Sequence, residues 1–205
     1  MLPSDPAFLP PKKSLETERL SILIRTEQDY YHAFQTSSDE QLRIDFGIVT
    51  DQELQLQRNK VLGGLCTYRT SILFFHLKAR DIDKVIGSIS FHNWYPMHSR
   101  SEIGYALSED RYKGLGYMNE AIAAVVPFGF NAMSLNRIEA FVHPENLPSI
   151  KIVERAGFKR EGLLEQHIYK DGVPGDSIVY GLLRQQFISI KPGSGPSAEA
   201  ERTEL

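Results

Sequence analysis

The stretch that most constrains this chain runs from Ser101 to Ala121, S-E-I-G-Y-A-L-S-E-D-R-Y-K-G-L-G-Y-M-N-E-A. Its first part reads as a strand, in which Ile103, Tyr105 and Leu107 alternate with Glu102, Gly104 and Ala106. A polar turn from Ser108 to Lys113 follows. Gly114 and Gly116 then open a helix on which Met118, Ala121, Ile122 and Val125 recur at helical spacing. The first N–H groups of a helix have no internal acceptor, and glycines let an anion approach them closely. The segment therefore predicts an anion site of phosphate size where a strand hands over to a helix. Glycine spacing alone leaves that site generic. The third glycine of a dinucleotide fingerprint is replaced by Asn119, and no Gly-Lys-Ser/Thr completes a phosphate loop.

Around this segment the pattern predicts one domain over residues 14–190, since 205 residues at 41% hydrophobic content suffice for one core. Prolines at positions 3, 6, 10 and 11 make residues 1–13 an extended leader. Arg19–Arg25 reads as a strand, Glu27–Gln35 as a helix, residues 36–50 as irregular, and Asp51–Tyr68 as a helix capped by Asp51. Ser71–Lys78 and Val85–Phe91 form a hairpin about Asp81–Asp83, and Gly87 marks a bulge or a close approach. His92–His98 is a loop. The helix after Gly116 reaches about Ser134, and Pro127 should kink or divide it. Arg137–His143 is a strand, and Asn146 caps a short helix closed by Gly157. Two strands, Phe158–Lys170 and Asp176–Phe187, flank the turn at Asp171-Gly172, and Lys191–Leu205 is expected to be disordered. The class is α/β or α+β, a mixed and largely antiparallel sheet with helices on both faces.

Several functions are disfavoured. A formal charge of −3 offers no global attraction for nucleic acid. The single Cys66 forms no internal disulfide; it is either a buried residue or a candidate nucleophile. No apolar run approaches the roughly 20 residues of a membrane span, and no signal peptide is evident, so a soluble cytoplasmic protein without a membrane partner is expected. The six histidines show no metal-ligand spacing, so no metal is expected.

The wider strings are more specific than the glycines. Arg111-x-x-Gly114-x-Gly116 after E-I-G-Y-A-L resembles the acetyl-CoA-binding signature of the GNAT N-acetyltransferases. Asn146-Leu-Pro-Ser149, running on to Glu154-Arg-Ala-Gly157-Phe158, resembles a later motif of the same superfamily. L-E-T-E-R-L near residue 15 and N-R-I-E-A at 136–140 are similar to the branch of ribosomal-protein-alanine N-acetyltransferases, the RimJ/RimL-like enzymes. The resemblance covers about residues 14–187.

It implies a GNAT-like fold and acetyl-CoA as co-substrate. The pyrophosphate would rest on the N–H groups of Gly114, Leu115, Gly116 and Tyr117, with Arg111 and Lys113 adding positive charge. The pantetheine arm would lie along the strand ending near Leu107, held in part by Asn146, a residue that equally serves as a helix cap. Glu102 matches the catalytic glutamate of histone-type members and would be the base, directly or through water; it would share a face with Gly104, whose missing side chain leaves room for substrate. The bland alternative is a surface carboxylate paired with Arg100 or a neighbour. The acid tyrosine of many GNAT enzymes is replaced by Val153, leaving Ser149 as the substitute donor to the departing thiolate. A backbone N–H near Ala106 or Leu107, where the strand bulges, would hold the oxyanion. An α-amine, with a pKa near roughly 7.7–8.0, needs only a modest base, whereas a lysine near about 10.4 needs more. The acceptor would be a primary amine, with a protein N-terminus of the ribosomal-protein type as the leading class. A small-molecule amine, antibiotic or polyamine, or a non-catalytic acyl-CoA-binding role, stays open. Trp94, Tyr95 and Tyr169 are candidate walls of the acceptor site.

Overall fold

Alternation along one strand sets the layers. β3 (Ser71–Ala79) turns Leu73, Phe75 and Leu77 to one side and Phe74 and His76 to the other, and both sides are covered. The computed structural model describes residues 13–190. The expectations for residues 1–12 and 191–205 fall outside those residues.

The strands are β1 (Ser14–Glu16), β2 (Leu20–Thr26), β3, β4 (Lys84–Tyr95), β5 (Arg100–Leu107), β6 (Arg137–Val142), β7 (Lys159–Lys170) and β8 (Val173–Leu183). They form one sheet in the order β1-β2-β3-β4-β5-β6-β8-β7, antiparallel throughout except for β5 against β6. The helices are α1 (Glu27–Thr36), α2 (Asp39–Phe46), α3 (Asp51–Gly63), α4 (Tyr117–Asn131), α5 (Leu147–Arg155) and α6 (Arg184–Ile190). α4 presses Met118, Ala121, Ile122 and Val125 into the main core with Leu73, Phe75, Ile89, Phe91 and Ile138. On the opposite face a second core gathers Tyr30, Phe34, Leu42, Leu54 and Val61 of α1–α3 against Phe74.

Where the chain departs from the sequence pattern, a local reason is visible. Residues 36–50 are not wholly irregular: Ser38 caps α2 by accepting the Gln41 N–H, and Gly47 at φ 68° ends it. Thr50, not Asp51, caps α3, and the helix stops at Gly63, five residues before Tyr68. β4 continues through His92–Tyr95 because Trp94 is drawn into the core, 2% exposed. That burial also removes Trp94 from the acceptor walls. α4 runs past Pro127 without restarting and ends at Asn131. The last strand ends at Leu183 and turns into α6, which packs Phe187 on Phe130 with ring centroids 5.0 Å apart. Gly87 is a close approach, as a Cβ there would lie 2.5 Å from the Ala106 carbonyl oxygen.

On that second face His76 ties β3 to two helices. Its Nε2 lies 2.7 Å from the Tyr30 hydroxyl of α1 and its Nδ1 3.1 Å from the Asp45 carbonyl at the end of α2. Burial lowers its pKa from 6.5 to about 4. Between those values the unfolded chain binds the extra proton, so stability rises with pH there and is complete above the upper value. Urea unfolding should therefore show stability level above pH 6.5 and falling toward pH 4 by up to about 1.4 kcal/mol per pH unit from this group. His76→Gln should lose that component of the slope; an identical slope in the variant would show that His76 does not carry it.

Candidate functional site

The glycine turn opens α4 and is held from outside. Gly114 and Gly116 sit at φ 74° and 85°, a region that side-chain-bearing residues rarely adopt, and a Cβ at Gly114 would meet nothing within 4 Å. Gly116 occupies the cap position of α4 without a side chain to cap it. The first helical hydrogen bond runs from the Glu120 N–H to the Gly116 carbonyl at 3.1 Å, so the preceding N–H groups have no helical acceptor. Arg19 fixes this turn: its Nη1 donates to the Leu115 carbonyl at 2.9 Å, and its guanidinium lies 4.6 Å over the Tyr117 ring. Its Nε and backbone N–H grip Glu120 at 2.6 and 2.8 Å, while the Thr17 hydroxyl donates to the same carboxylate at 2.6 Å. Burial works to raise the Glu120 carboxyl, and these donors outweigh it and hold it below its usual range. The L-E-T-E-R-L string supplies this clasp, which spacing does not reveal because its partners lie about a hundred residues on.

Arg111 and Lys113 are less free than expected. Arg111 pairs with Glu109 at 2.8 Å, and Lys113 with Asp110 at 2.6 Å; both cations are well exposed. Lys113 also lines the cavity described next.

β5 and β6 pair at Arg100–Glu102 with Arg137–Glu139 and then part. In the gap lies a cavity of about 290 Å³, walled by Tyr105, Ala106 and Leu107 on one side and by Asn146, Ser149 and Ile152 on the other. The expected bulge at Ala106–Leu107 is absent, since β4 and β5 keep register from Gly87–Leu107 to His92–Glu102. The Ser108 N–H is taken by Ile86 of β4, so alternation turns the Ala106 N–H toward β4 and the Leu107 and Tyr105 N–H groups toward the gap. Of the two backbone groups named as oxyanion donors, Leu107 is the one facing the gap. Asn146 caps α5 by accepting the Ser149 N–H at 3.2 Å through Oδ1, which leaves its amide nitrogen as a further donor. Ser149 is half-buried beside the cavity. Val153 is 1% exposed and belongs to the core. Tyr105, to which the strand pattern gives no functional role, brings its hydroxyl to the Ser149 carbonyl at 3.3 Å. Burial raises that phenol, against the opposing hydrogen bond at Ser149, so it stays protonated.

Glu102 is not paired with Arg100. Arg100 and Arg137 instead hold Glu139, its register neighbour on β6, at 2.9 and 2.7 Å. Glu102 takes His92 Nε2 at 3.0 Å and the Asn93 amide at 3.1 Å. His92 Nδ1 lies 3.2 Å from the Ser90 hydroxyl. Burial pushes the Glu102 carboxyl up, but the His92 and Asn93 hydrogen bonds and the His92 and His167 charges bring it below its ordinary value. The space expected above Gly104 is filled, because a Cβ there would lie 2.8 Å from His92 Cε1. Tyr95 lines a second cavity with Arg100, whereas Tyr169, 76% exposed on the β7–β8 hairpin, lines neither. Cys66 is half-buried with its thiol pushed up to about 12 by burial and by Glu27, which leaves it protonated and a poor nucleophile. Among the described residues no cluster of three or more His, Cys, Asp or Glu side chains is placed to hold a metal ion, and no helix is long and apolar enough to cross a membrane.

Comparison with known proteins gives the family. Residues 19–159 match the acetyltransferase (GNAT) domain family. The chain is 30% identical over 171 residues to an uncharacterized N-acetyltransferase of Bacillus subtilis (strain 168), YoaA, covering 83% of this chain and 96% of that one. It is 31% identical over 98 residues to the ribosomal-protein-serine acetyltransferase of Escherichia coli (strain K12), covering 48% and 54%. A structure of the SpeG spermidine N-acetyltransferase from Vibrio cholerae shares the fold with a TM-score of 0.60 at 16% identity, covering 84% of this chain and 98% of that one.

The clasp on the glycine turn makes a prediction. Arg19→Ala should weaken acetyl-CoA binding by about tenfold in calorimetry, through loss of a charge-assisted anchor on the loop. Gly114→Glu should abolish binding by charge and backbone strain. Unchanged affinity in Gly114→Glu would place the pyrophosphate elsewhere.

Proposed function

The chain belongs to the GNAT acetyltransferase family and is an acetyl-CoA-dependent N-acetyltransferase; within that family we propose that it acetylates the α-amino group of a protein N-terminus, of the ribosomal-protein type. The observation that carries the site assignment is the gap between β5 and β6: one strand there presents the Glu102 carboxylate at its paired end and the Leu107 N–H at its parted end. Acetyl-CoA would be held at Gly114–Tyr117 by the N–H groups, with Asn146 on the pantetheine arm and Lys113 beside it.

Glu102, fixed by His92 and Asn93 and ionised at neutral pH, accepts the ammonium proton through a relay of bridging waters, since Leu107 lies five residues, about 17 Å, further along β5. The freed nitrogen attacks the thioester carbonyl, the new C–N bond forms, and the developing oxyanion meets the Leu107 N–H. The oxyanion then reforms the carbonyl as the C–S bond breaks, the thiolate takes a proton from Ser149 or from the Tyr105 hydroxyl beside it, and the second proton lost from the acylated nitrogen returns through water to that hydroxyl. A carboxylate whose pKa is lowered is a weak base, which suits an α-amine near roughly 7.7–8.0 and suits a lysine near about 10.4 poorly. The relationship to the ribosomal-protein-serine enzyme supports the same acceptor class. A small polyamine is the second reading, favoured by the fold shared with a spermidine enzyme.

Thiol release from acetyl-CoA should be seen with N-terminal peptides and should exceed that with free polyamines. Glu102→Gln should lower the rate by about 100-fold, chiefly below the amine's own pKa, and an unaltered pH–rate profile would remove Glu102 from the mechanism. Ser149→Ala and Tyr105→Phe should each reduce kcat by roughly tenfold without changing acetyl-CoA affinity, with a larger loss in the double variant. If neither single nor double variant slows turnover, water protonates the thiolate.

A further inference from the structure

The Glu102 carboxylate and the Leu107 N–H stand about 17 Å apart along β5, and the face of the sheet between them carries a row of polar side chains. Register sets Ser88, Ser90 and His92 of β4 opposite Ala106, Gly104 and Glu102 of β5. Alternation puts these residues on the face turned away from the core of Ile89, Phe91 and Ile103. Ser88, Ser90 and His92 are each half-buried there. The row is joined at its Glu102 end. His92 Nε2 lies 3.0 Å from one Glu102 oxygen, Nδ1 lies 3.2 Å from the Ser90 hydroxyl, and Asn93 holds the other Glu102 oxygen at 3.1 Å. The imidazole makes this crossing over Gly104, where a Cβ would lie 2.8 Å from His92 Cε1 and 3.7 Å from Ser90 Oγ. A side chain at 104 would displace the ring.

We propose that Ser90 and His92 carry the amine's proton to Glu102, with Ser88 as the point of entry to the row. The inference rests on the acyl-transfer reading and says how its distant base is reached. An ionised carboxylate only accepts, so the His92 Nε2 facing it bears a hydrogen, and in the neutral ring Nδ1 then accepts from Ser90. Water passes the ammonium proton by way of Ser88 to the Ser90 oxygen. Ser90 gives its own proton to His92 Nδ1, and His92 releases the Nε2 proton to Glu102. Each O–H or N–H bond that breaks is matched by one that forms. The result is a neutral amine, a neutral Glu102 and the other tautomer of the ring. Once the product leaves, the proton returns along the row to bulk water, which restores the starting tautomer. Ser88 faces Ala106, one residue short of Leu107, and adjacent strands lie about 4.8 Å apart. One or two waters over the exposed Ala106 methyl therefore reach an amine at the gap. Neighbours on one face of a strand are about 7 Å apart, which leaves room for a further water between Ser88 and Ser90.

The test measures kcat, KM and acetyl-CoA affinity with an N-terminal peptide as acceptor. Ser90→Ala should lower kcat about tenfold, and His92→Gln, whose amide can still donate to Glu102, about 30-fold, with KM and acetyl-CoA affinity unchanged. Ser90→Thr keeps the hydroxyl and should stay within about twofold of the unmodified protein. Groups that act as one unit are not additive, so the Ser90→Ala/His92→Gln double variant should be no slower than His92→Gln. Unchanged kcat in Ser90→Ala, a Ser90→Thr as slow as Ser90→Ala, or losses that multiply in the double variant each overturn the relay while acyl transfer stands. Lack of thiol release from the unmodified protein with every amine offered would instead count against acyl transfer to those amines. In that event, nitrogen NMR of the His92 ring decides the relay. A hydrogen on Nε2 and an Nδ1 resonance that moves in Ser90→Ala support it. A hydrogen on Nδ1, or a resonance indifferent to Ser90→Ala, overturns it.

Discussion

The site depends on a partly buried carboxylate. Glu120 lies in the first turn of α4, and Thr17, the Arg19 N–H and the Arg19 guanidinium converge on it from the segment between β1 and β2. An uncompensated carboxylate at this helix start would repel the anion that we propose the turn holds. Arg19 neutralises it and spends its remaining reach on the Leu115 carbonyl, so one guanidinium balances the charge and shapes the glycine turn. Because Gly116 has no side chain to cap the helix, the conformation of the turn is imposed by this contact from about a hundred residues away in sequence.

The second constraint is topological. Joining β5 to its parallel neighbour β6 requires a crossover, which α4 supplies on the core face. The strands stay together for three pairs and then diverge, leaving backbone N–H groups of β5 without a strand partner. Those groups border the cavity, and a wall with open hydrogen-bonding edges suits a ligand that is itself rich in amides.

The open face of the sheet distinguishes two adjacent carboxylates by their partners. Glu139 is held by Arg100 and Arg137, and Arg137 continues to Glu161 on β7. Glu102, its neighbour, meets a histidine and an amide instead, and so keeps its charge while retaining lone pairs for a proton. Identical side chains a strand apart thus differ in availability because of what faces them.

Much of this was legible in the sequence because it is local. The alternation in β3, β5 and β6, the Asn146 cap, the positive-φ glycines and the strings at 111–116 and 146–158 follow from period, capping and backbone sterics, which act within a few residues. The misread parts have long-range causes. α2 relies on a modest apolar face completed by α1, α3 and Phe74, and β4 extends past His92 because Trp94 finds the core. His92 above Gly104, Arg19 on Leu115 and Tyr105 beside Ser149 are contacts between elements, invisible to spacing. The sequence alone determined which backbone segments could grip an anion and present a carboxylate. The tertiary structure decided how those groups are poised, because the charge on Glu102, the opening between β5 and β6 and the form of the glycine turn are each set by residues distant in the chain.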